Sequence, residues 1–325
     1  MAVATARRGA GGRLLPGLRR LWEPVSETRG LARIMLVSGA AITLFFVVLA
    51  VFARWIAPYD FNQYQSGDER FAKLAHPSDA HLFGTTVQST DVLARVIWGA
   101  QTELKVVALA LVFALAVGVP VGLISGYFGG KLDRVLVLCM DALFAFPYLL
   151  LAIVIAFLLS GRLSGVFTAA IAITVIYIPQ YFRVVRNHVI SVREETYVEA
   201  ARALGAGPFT IMRRYVFFNV VQNVPVIATL NAADAILTLA GLGFLGYGIQ
   251  PTDAAEWGYD IQRAISDASA GIWWTGLFPG IAIVLLVTGM TLLGEGLSET
   301  INPVLRRRRI VKVSLSPSVE EVEQP

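Results

Sequence analysis

Three carboxylates, Asp141, Asp234 and Glu295, stand in or beside long stretches of chain that carry no other charge. A carboxylate in an apolar medium is costly; where one persists it relays a proton, meets a cation or hydrogen-bonds a neighbour. Asp234 lies near the middle of its stretch and either lines a path or makes a structural hydrogen bond. Asp141 is placed to pair with a polar neighbour, and Glu295 lies at the end of the last stretch, near headgroup level. Enzymatic chemistry finds less support. The histidines His76, His81 and His188 are scattered, and neither a Ser/His/Asp arrangement nor a metal-ligand spacing occurs. No GxxxxGK[ST] phosphate loop is present, since "GGKL" at Gly129–Leu132 lacks both the spacing and the hydroxyl residue. Such a chain uses an ion gradient, borrows its energy from another protein or, moving nothing, serves as a membrane scaffold subunit.

The segment "EAARALGAGPFTIMRRYVFFN", Glu199 to Asn219, interrupts the apolar stretches. Val192–Leu204 is built of good helix formers, and Gly205 supplies the left-handed residue that ends a helix. Pro208 fits the first turn of a second helix, Phe209–Phe218, where its missing N–H costs nothing. The first helix presents Ala200, Ala201 and Ala203 between Glu199 and Arg202. Small side chains with charged edges suit a groove on another protein, the charges setting orientation. The alternative is a helix resting on lipid headgroups, for which alanine gives little driving force.

The elements that position these residues are membrane spans. Of 325 residues 56% are hydrophobic and only 15% charged, with a mean hydropathy of +0.64, against roughly a quarter charged in soluble domains. Six windows without acid or base are long enough to cross ~30 Å of hydrocarbon: 34–53, 106–130, 142–161, 163–182, 215–233 and 268–294. A seventh, 235–250, follows Asp234 directly. Arginines crowd both ends of the chain, from Arg7 to Arg33 and at Arg306–Arg309. Both termini therefore favour the cytoplasm, which demands an even number of crossings. Six crossings put 20 of the 27 basic residues inside and make "GLGFLGYG" (Gly241–Gly248) the outer end of span five or a dipping loop. Acids gather in the outer loops, and Trp55, Trp98, Trp257, Trp273 and Trp274 fall on the outer side, where such rings settle at the interface.

Within span two, Ala110, Ala114, Gly118, Gly122 and Gly126 recur every four residues, a face that lets another helix approach closely. Its neighbour is either in this chain or in another subunit. Pro120, Pro147 and Pro179 are expected to kink spans two, three and four. The net charge of +4 follows the inner bias and does not indicate nucleic-acid binding, because no basic patch is interleaved with aromatics. Cys139 is the single cysteine, so no internal disulfide forms. The first apolar run exceeds a signal-peptide core and is read as a retained anchor.

"EAARALGAG" resembles the EAA signature of ABC-importer permeases, with Glu199, Ala200, Ala201 and Gly205 at the matching positions. The resemblance extends from about residue 81 to 307. "HLFGTTVQSTDVLARVIWGA", "GLISGYFGGKLDRVLVLCMDALFAFPYLLLA", "FLGYGIQP", "EWG" and "LFPGIAIVLLVTGMTLLGEGLSETINP" are similar to stretches of the dipeptide/oligopeptide (DppC/OppC-type) group. Departures are Phe217-Phe218, where the family has Leu-Pro, Ser89-Thr90 in place of Gly-Arg, and Thr86 in place of Asp.

The resemblance implies an all-α integral membrane protein of the type I ABC importer permease fold, multi-pass in the cell membrane. It further implies a transporter subunit, not an enzyme. The organisation expected is a cytoplasmic tail 1–33, span one 34–57, an extracytoplasmic segment 58–100, a five-helix permease region 101–305 and a tail 306–325. The EAA loop falls at about 183–218 and the second outer segment at about 249–275. Glu199, Ala200, Ala201, Arg202 and Gly205 would couple to one or two cytoplasmic ATPase subunits that use ATP and Mg, this chain binding no cofactor itself. A second homologous permease, an extracytoplasmic substrate-binding protein and membrane lipid complete the expected partners. Asp141 and Asp234 are the candidates for the translocation path.

Overall fold

A computed structural model describes residues 30–222 and 224–301. The tails, with Arg306–Arg309 and their expected cytoplasmic placement, lie outside the described residues.

The chain opens with α1 (Leu31–Val51) and a single further turn, α2 (Ala53–Ile56). An outer segment holding a two-stranded hairpin, β1 (Gln65–Ser66) and β2 (Glu69–Arg70), leads to α3 (Val92–Phe128). The 37 residues of α3 make a rod of ~55 Å, well beyond the ~30 Å of a hydrocarbon core. It begins at Val92 because Asp91 caps it: Asp91 Oδ1 accepts from the Ala94 N–H at 2.7 Å, while Oδ2 lies 2.8 Å from His81 Nδ1. The span expected over 106–130 is therefore only its inner part.

The window 142–161 is not one helix. It divides into α4 (Gly130–Phe144) and α5 (Tyr148–Leu159), which meet at 91°. Pro147 has no N–H to donate and steers Phe146 away from helical geometry, so the expected kink becomes a corner. Pro120 and Pro179, by contrast, sit inside unbroken helices. Among the described residues five helices are long and apolar enough to cross a membrane, and six when the bent pair counts as one crossing.

Next come α6 (Gly165–Val192), α7 (Thr196–Ala203) and α8 (Pro208–Ile211), then a π-helical turn, Met212–Val216, and α9 (Phe217–Val221). The fifth crossing is α10 (Val224–Phe244), displaced towards the C-terminus from the expected 215–233. Asp234 does not end this helix, because its carboxylate accepts a hydrogen bond from Tyr177 Oη at 2.8 Å. The outer segment carries α11 (Trp257–Ser269), and α12 (Trp274–Ile301) is the last crossing.

The small-residue face of α3 packs against α6 of the same chain. A Cβ on Gly118, Gly122 or Gly126 would lie 2.8 Å from Tyr181 Cβ, the Phe182 carbonyl oxygen or the Arg186 carbonyl oxygen, respectively. Ala110 and Ala114 are fully buried, and Thr174 Oγ1 donates to the Ala110 carbonyl at 3.2 Å. In lipid, close backbone approach of this kind supplies cohesion that apolar burial does not. On the other side of the bundle α1 meets α12 likewise, Gly39 against Gly289 and Leu292, and Gly296 against Leu36.

Two of the five outer tryptophans are not interface residues. Trp257 and Trp274 are buried and donate their indole N–H to the carbonyls of Val96 (3.1 Å) and Thr85 (3.2 Å). They pin the outer segment onto the helices; Trp55 and Trp273 remain exposed.

Candidate functional site: an elbow and a cavity

The elbow after α6 rests on a rigid base. Arg193, just beyond Val192, points its Nη1 at the carbonyls of Gly126 (2.9 Å) and Tyr127 (3.3 Å). Those are carbonyls of the last turn of α3, at the negative end of a long helix. Arg186 grips Asp133 with two N–H groups, and Ser125 Oγ donates to the same carboxylate at 2.6 Å. Above this lies an apolar cluster of Val119, Val185, Val189, Val198, Ile211, Val216, Val220 and Val224. It draws residues from α3, α6, α7, α8, the π turn, α9 and α10, so the elbow is packed to the spans rather than hung from them.

Helix α7 enters this cluster through Val198, and Ala201, three residues on along the same face, is buried as well. Glu199, Ala200, Arg202, Ala203, Leu204 and Gly205 are exposed. Gly205 adopts φ 84, and the Ala206 N–H returns to the Ala201 carbonyl at 3.0 Å. This is the left-handed helix ending that glycine at this place predicts. Pro208 opens α8 at its first turn. The helix expected over Val192–Leu204 is shorter, because residues 193–195 turn the chain from α6 into α7.

Ala201 does not belong to the outward face: it is 6% exposed and fastens the helix to its base. Leu204, 90% exposed, and Phe209, 71% exposed, stand at the tip instead. Their signal in the sequence is two large apolar residues bracketing a Gly-Ala-Gly-Pro turn.

A cavity of about 610 Å³ opens between the α4–α5 corner, α6 and α10. Tyr177, Gln180, Arg183 and Asn187 line it from α6, Asp234 from α10 and Phe144 from α4. Asp234 both lines the cavity and makes a structural hydrogen bond. Asp141 stands behind it: Arg183 Nη2 donates to Asp141 Oδ1 at 2.8 Å, and the guanidinium carbon lies 4.3 Å from the centre of the Phe144 ring. Glu295 is exposed and does not line the cavity. Space, one carboxylate and one guanidinium thus occur together at a break in a membrane helix, where polar groups can be tolerated beside a water-filled space.

Comparison with known proteins decides the family. Residues 118–307, more than half of the chain, match the family described as binding-protein-dependent transport system inner membrane component. The chain belongs to that family. It is 35% identical over 272 residues, 84% of this chain and 87% of the relative, to the glutathione transport system permease protein GsiD of Escherichia coli O157:H7. The same figures hold for GsiD of Shigella sonnei. An inward-facing structure of the MetNI methionine ABC transporter shares the fold, with a TM-score of 0.51 at 20% identity, over 64% of this chain and 96% of that one. The protein is the permease subunit of a binding-protein-dependent ABC importer, a multi-pass plasma-membrane transporter subunit of type I fold rather than an enzyme. Permeases of this family work with an ATPase, a second permease and a substrate-binding protein. The region containing the elbow and the cavity lies within the matched residues, whereas α1 and most of α3 precede them.

Proposed function

We propose that this permease forms half of a translocation pathway for peptides or glutathione-like solutes and is driven through its α7 elbow. The observation that carries the reading is the elbow itself: an apolar tip, Leu204 at the end of α7 and Phe209 of α8, presented to solvent by two short helices whose inner sides are locked to spans α3, α6 and α10. A rigid handle of this kind transmits force, since the packed cluster moves with it as a body. One or two cytoplasmic ATPase subunits, binding ATP and Mg, would hold Leu204 in a surface groove with Glu199 and Arg202 fixing its orientation. A second homologous permease would complete the pathway. A substrate-binding protein would deliver cargo to the outer face made by residues 58–91 and the segment around α11. Both termini lie in the cytoplasm in this arrangement, so the elbow does too.

A cysteine at position 204, in a Cys139→Ser background, is expected to cross-link to an ATPase subunit through a short bis-maleimide in the assembled complex. Labelling of the same cysteine by an impermeant maleimide from outside intact cells, with no ATPase adduct, would falsify the reading.

Asp234 and Arg183 supply the cavity with opposite charges, which suits a solute that carries both an ammonium and a carboxylate. An Asp234→Asn permease should assemble normally but take up such a solute about 10-fold more slowly, the loss of one hydrogen bond to a charged group. Undiminished uptake in proteoliposomes would leave Asp234 with only its hydrogen bond to Tyr177.

A further inference from the structure

Outside both the elbow and the lining of the cavity, two glutamates are buried where α3, α10 and α11 meet. Glu103 of α3 and Glu256, the residue that caps α11, are each 0% exposed. Glu256 is well provided for: it accepts the Gly258 N–H at 2.6 Å and the Tyr259 N–H at 2.7 Å. Among the described residues neither Glu103 oxygen is held in a well-formed hydrogen bond, although the Trp257 N–H lies close to it. The two carboxyl groups lie within hydrogen-bonding reach of one another. We propose that Glu103 and Glu256 form a proton-binding site, sharing one proton that latches α11 onto α3.

Two buried carboxylates side by side repel and lack the water that would solvate them, so one proton between them is the arrangement that costs least. Among the described residues the surroundings supply no cation instead. Asp260, the next acid on α11, adds negative charge, and Arg95 of α3 is committed to it at 2.8 and 3.0 Å and to the Phe61 carbonyl at 3.1 Å. Gly243 of α10 and Phe46 of α1, the latter against Trp257, bring no charge. Any side chain on Gly243 would collide with the Glu256 carboxylate, so α10 closes over the pair. The negative charge belongs on Glu256, where two N–H groups and the N-terminus of a 13-residue helix favour it. The proton belongs on Glu103, which has no well-formed hydrogen bond of its own, and its O–H donates to Glu256.

Burial raises the Glu256 carboxyl above the usual carboxylate range, with the two N–H bonds opposing and the charge of Asp260 adding to the rise. The pair therefore holds a proton in the folded protein that unfolded glutamates release near ~4.3. The folded state keeps that proton to higher pH than the unfolded chain does, so stability falls as pH rises above about 4.3. The latch is closed in acid and opens in base.

The test uses the full-length permease purified in its assembly and reads no transport, so it is independent of the coupling proposal. Infrared spectra of the wild type at pH 6–7 should contain a carboxylic-acid C=O band that shifts in D2O and disappears by about pH 10. A Glu103→Gln permease, whose amide donates to Glu256 without titrating, should lack that intensity. The wild-type unfolding midpoint should drop by about 5 °C or more between pH 6 and pH 9, and the drop should be at least halved in Glu103→Gln. A wild-type spectrum with no acid band at pH 6, or a variant that keeps both the band and the full drop, overturns the proposal. The wild-type spectrum decides the matter even if the variant does not fold.

Discussion

A Gly122→Leu permease is expected to lose most of its folded yield, with a stability loss of about 3 kcal/mol, the upper end of ordinary overpacking. The first added carbon would lie 2.8 Å from the Phe182 carbonyl oxygen and 3.0 Å from Val185 Cβ, and leucine brings three more. Backbone cannot rotate aside as a side chain can. Nor can α3 simply back away, because Gly118 and Gly126 touch α6 equally closely one turn on either side. Separation would forfeit the contacts of the whole stripe, and in lipid there is no hydrophobic gain to offset them. Gly161→Ala is the comparison. Its glycine has φ 74 and open space around the missing Cβ, so only left-handed backbone strain of about 1–2 kcal/mol is at stake. Melting of the detergent-extracted protein, followed by size-exclusion chromatography, reads both variants. A Gly122→Leu midpoint within a degree or two of the wild type would refute the stripe's structural role.

That stripe was legible because small residues every four positions leave a mark no other pattern makes. Span boundaries were harder to read, because charge-free windows assume that charge stops at the membrane. Arg95 and Glu103 both lie in α3, one paired with Asp260 and the other facing Glu256, so the helix begins well before the window does. Asp234 divided what is in fact one helix, α10, because its hydrogen-bond partner Tyr177 lies on another element. Proline misleads in a different way. Pro120, Pro147 and Pro179 look alike in sequence, yet only Pro147 turns a corner, and the helix that leads into it, α4, has no buried residue to hold a straight course.

The elbow was found from its sequence, but not its orientation. Ala200, Ala201 and Ala203 cannot be told apart by type; only the valine cluster beneath Val198 decides that Ala201 turns inward. Trp257 and Trp274 were misplaced for a similar reason. An outer tryptophan suits either a lipid interface or a buried site with a carbonyl for its N–H, and the carbonyls of Val96 and Thr85 are far away in sequence. Glu103 gave no signal at all, since a carboxylate beside polar residues just outside a charge-free window is ordinary until its burial is seen.

Leu204→Asp should be the most damaging single change at the elbow surface, reducing substrate uptake at least 10-fold while the permease stays folded in the membrane. The two halves of that expectation have separate grounds. Leu204 is 90% exposed, so its replacement should alter the stability of the chain by no more than about 0.5 kcal/mol. In the assembly proposed above the same side chain fills a groove on the ATPase, and an aspartate there would be buried without a partner. Central interface residues commonly cost about 2–4 kcal/mol when lost, and an unpaired buried charge costs about 3–5 kcal/mol; either exceeds the ~1.4 kcal/mol of a tenfold effect. Glu199→Arg, at the rim of the same helix, should have the smaller effect, slowing association more than it weakens the complex. Val198→Asp provides the contrast, because its charge would enter the valine cluster and unfold the elbow itself. Uptake into proteoliposomes, co-purification of the ATPase and the melting midpoint, measured together, separate the cases: Leu204→Asp should lose the first two and keep the third, Val198→Asp should lose all three. Full uptake by Leu204→Asp would mean that the tip of the elbow is not where force enters the permease.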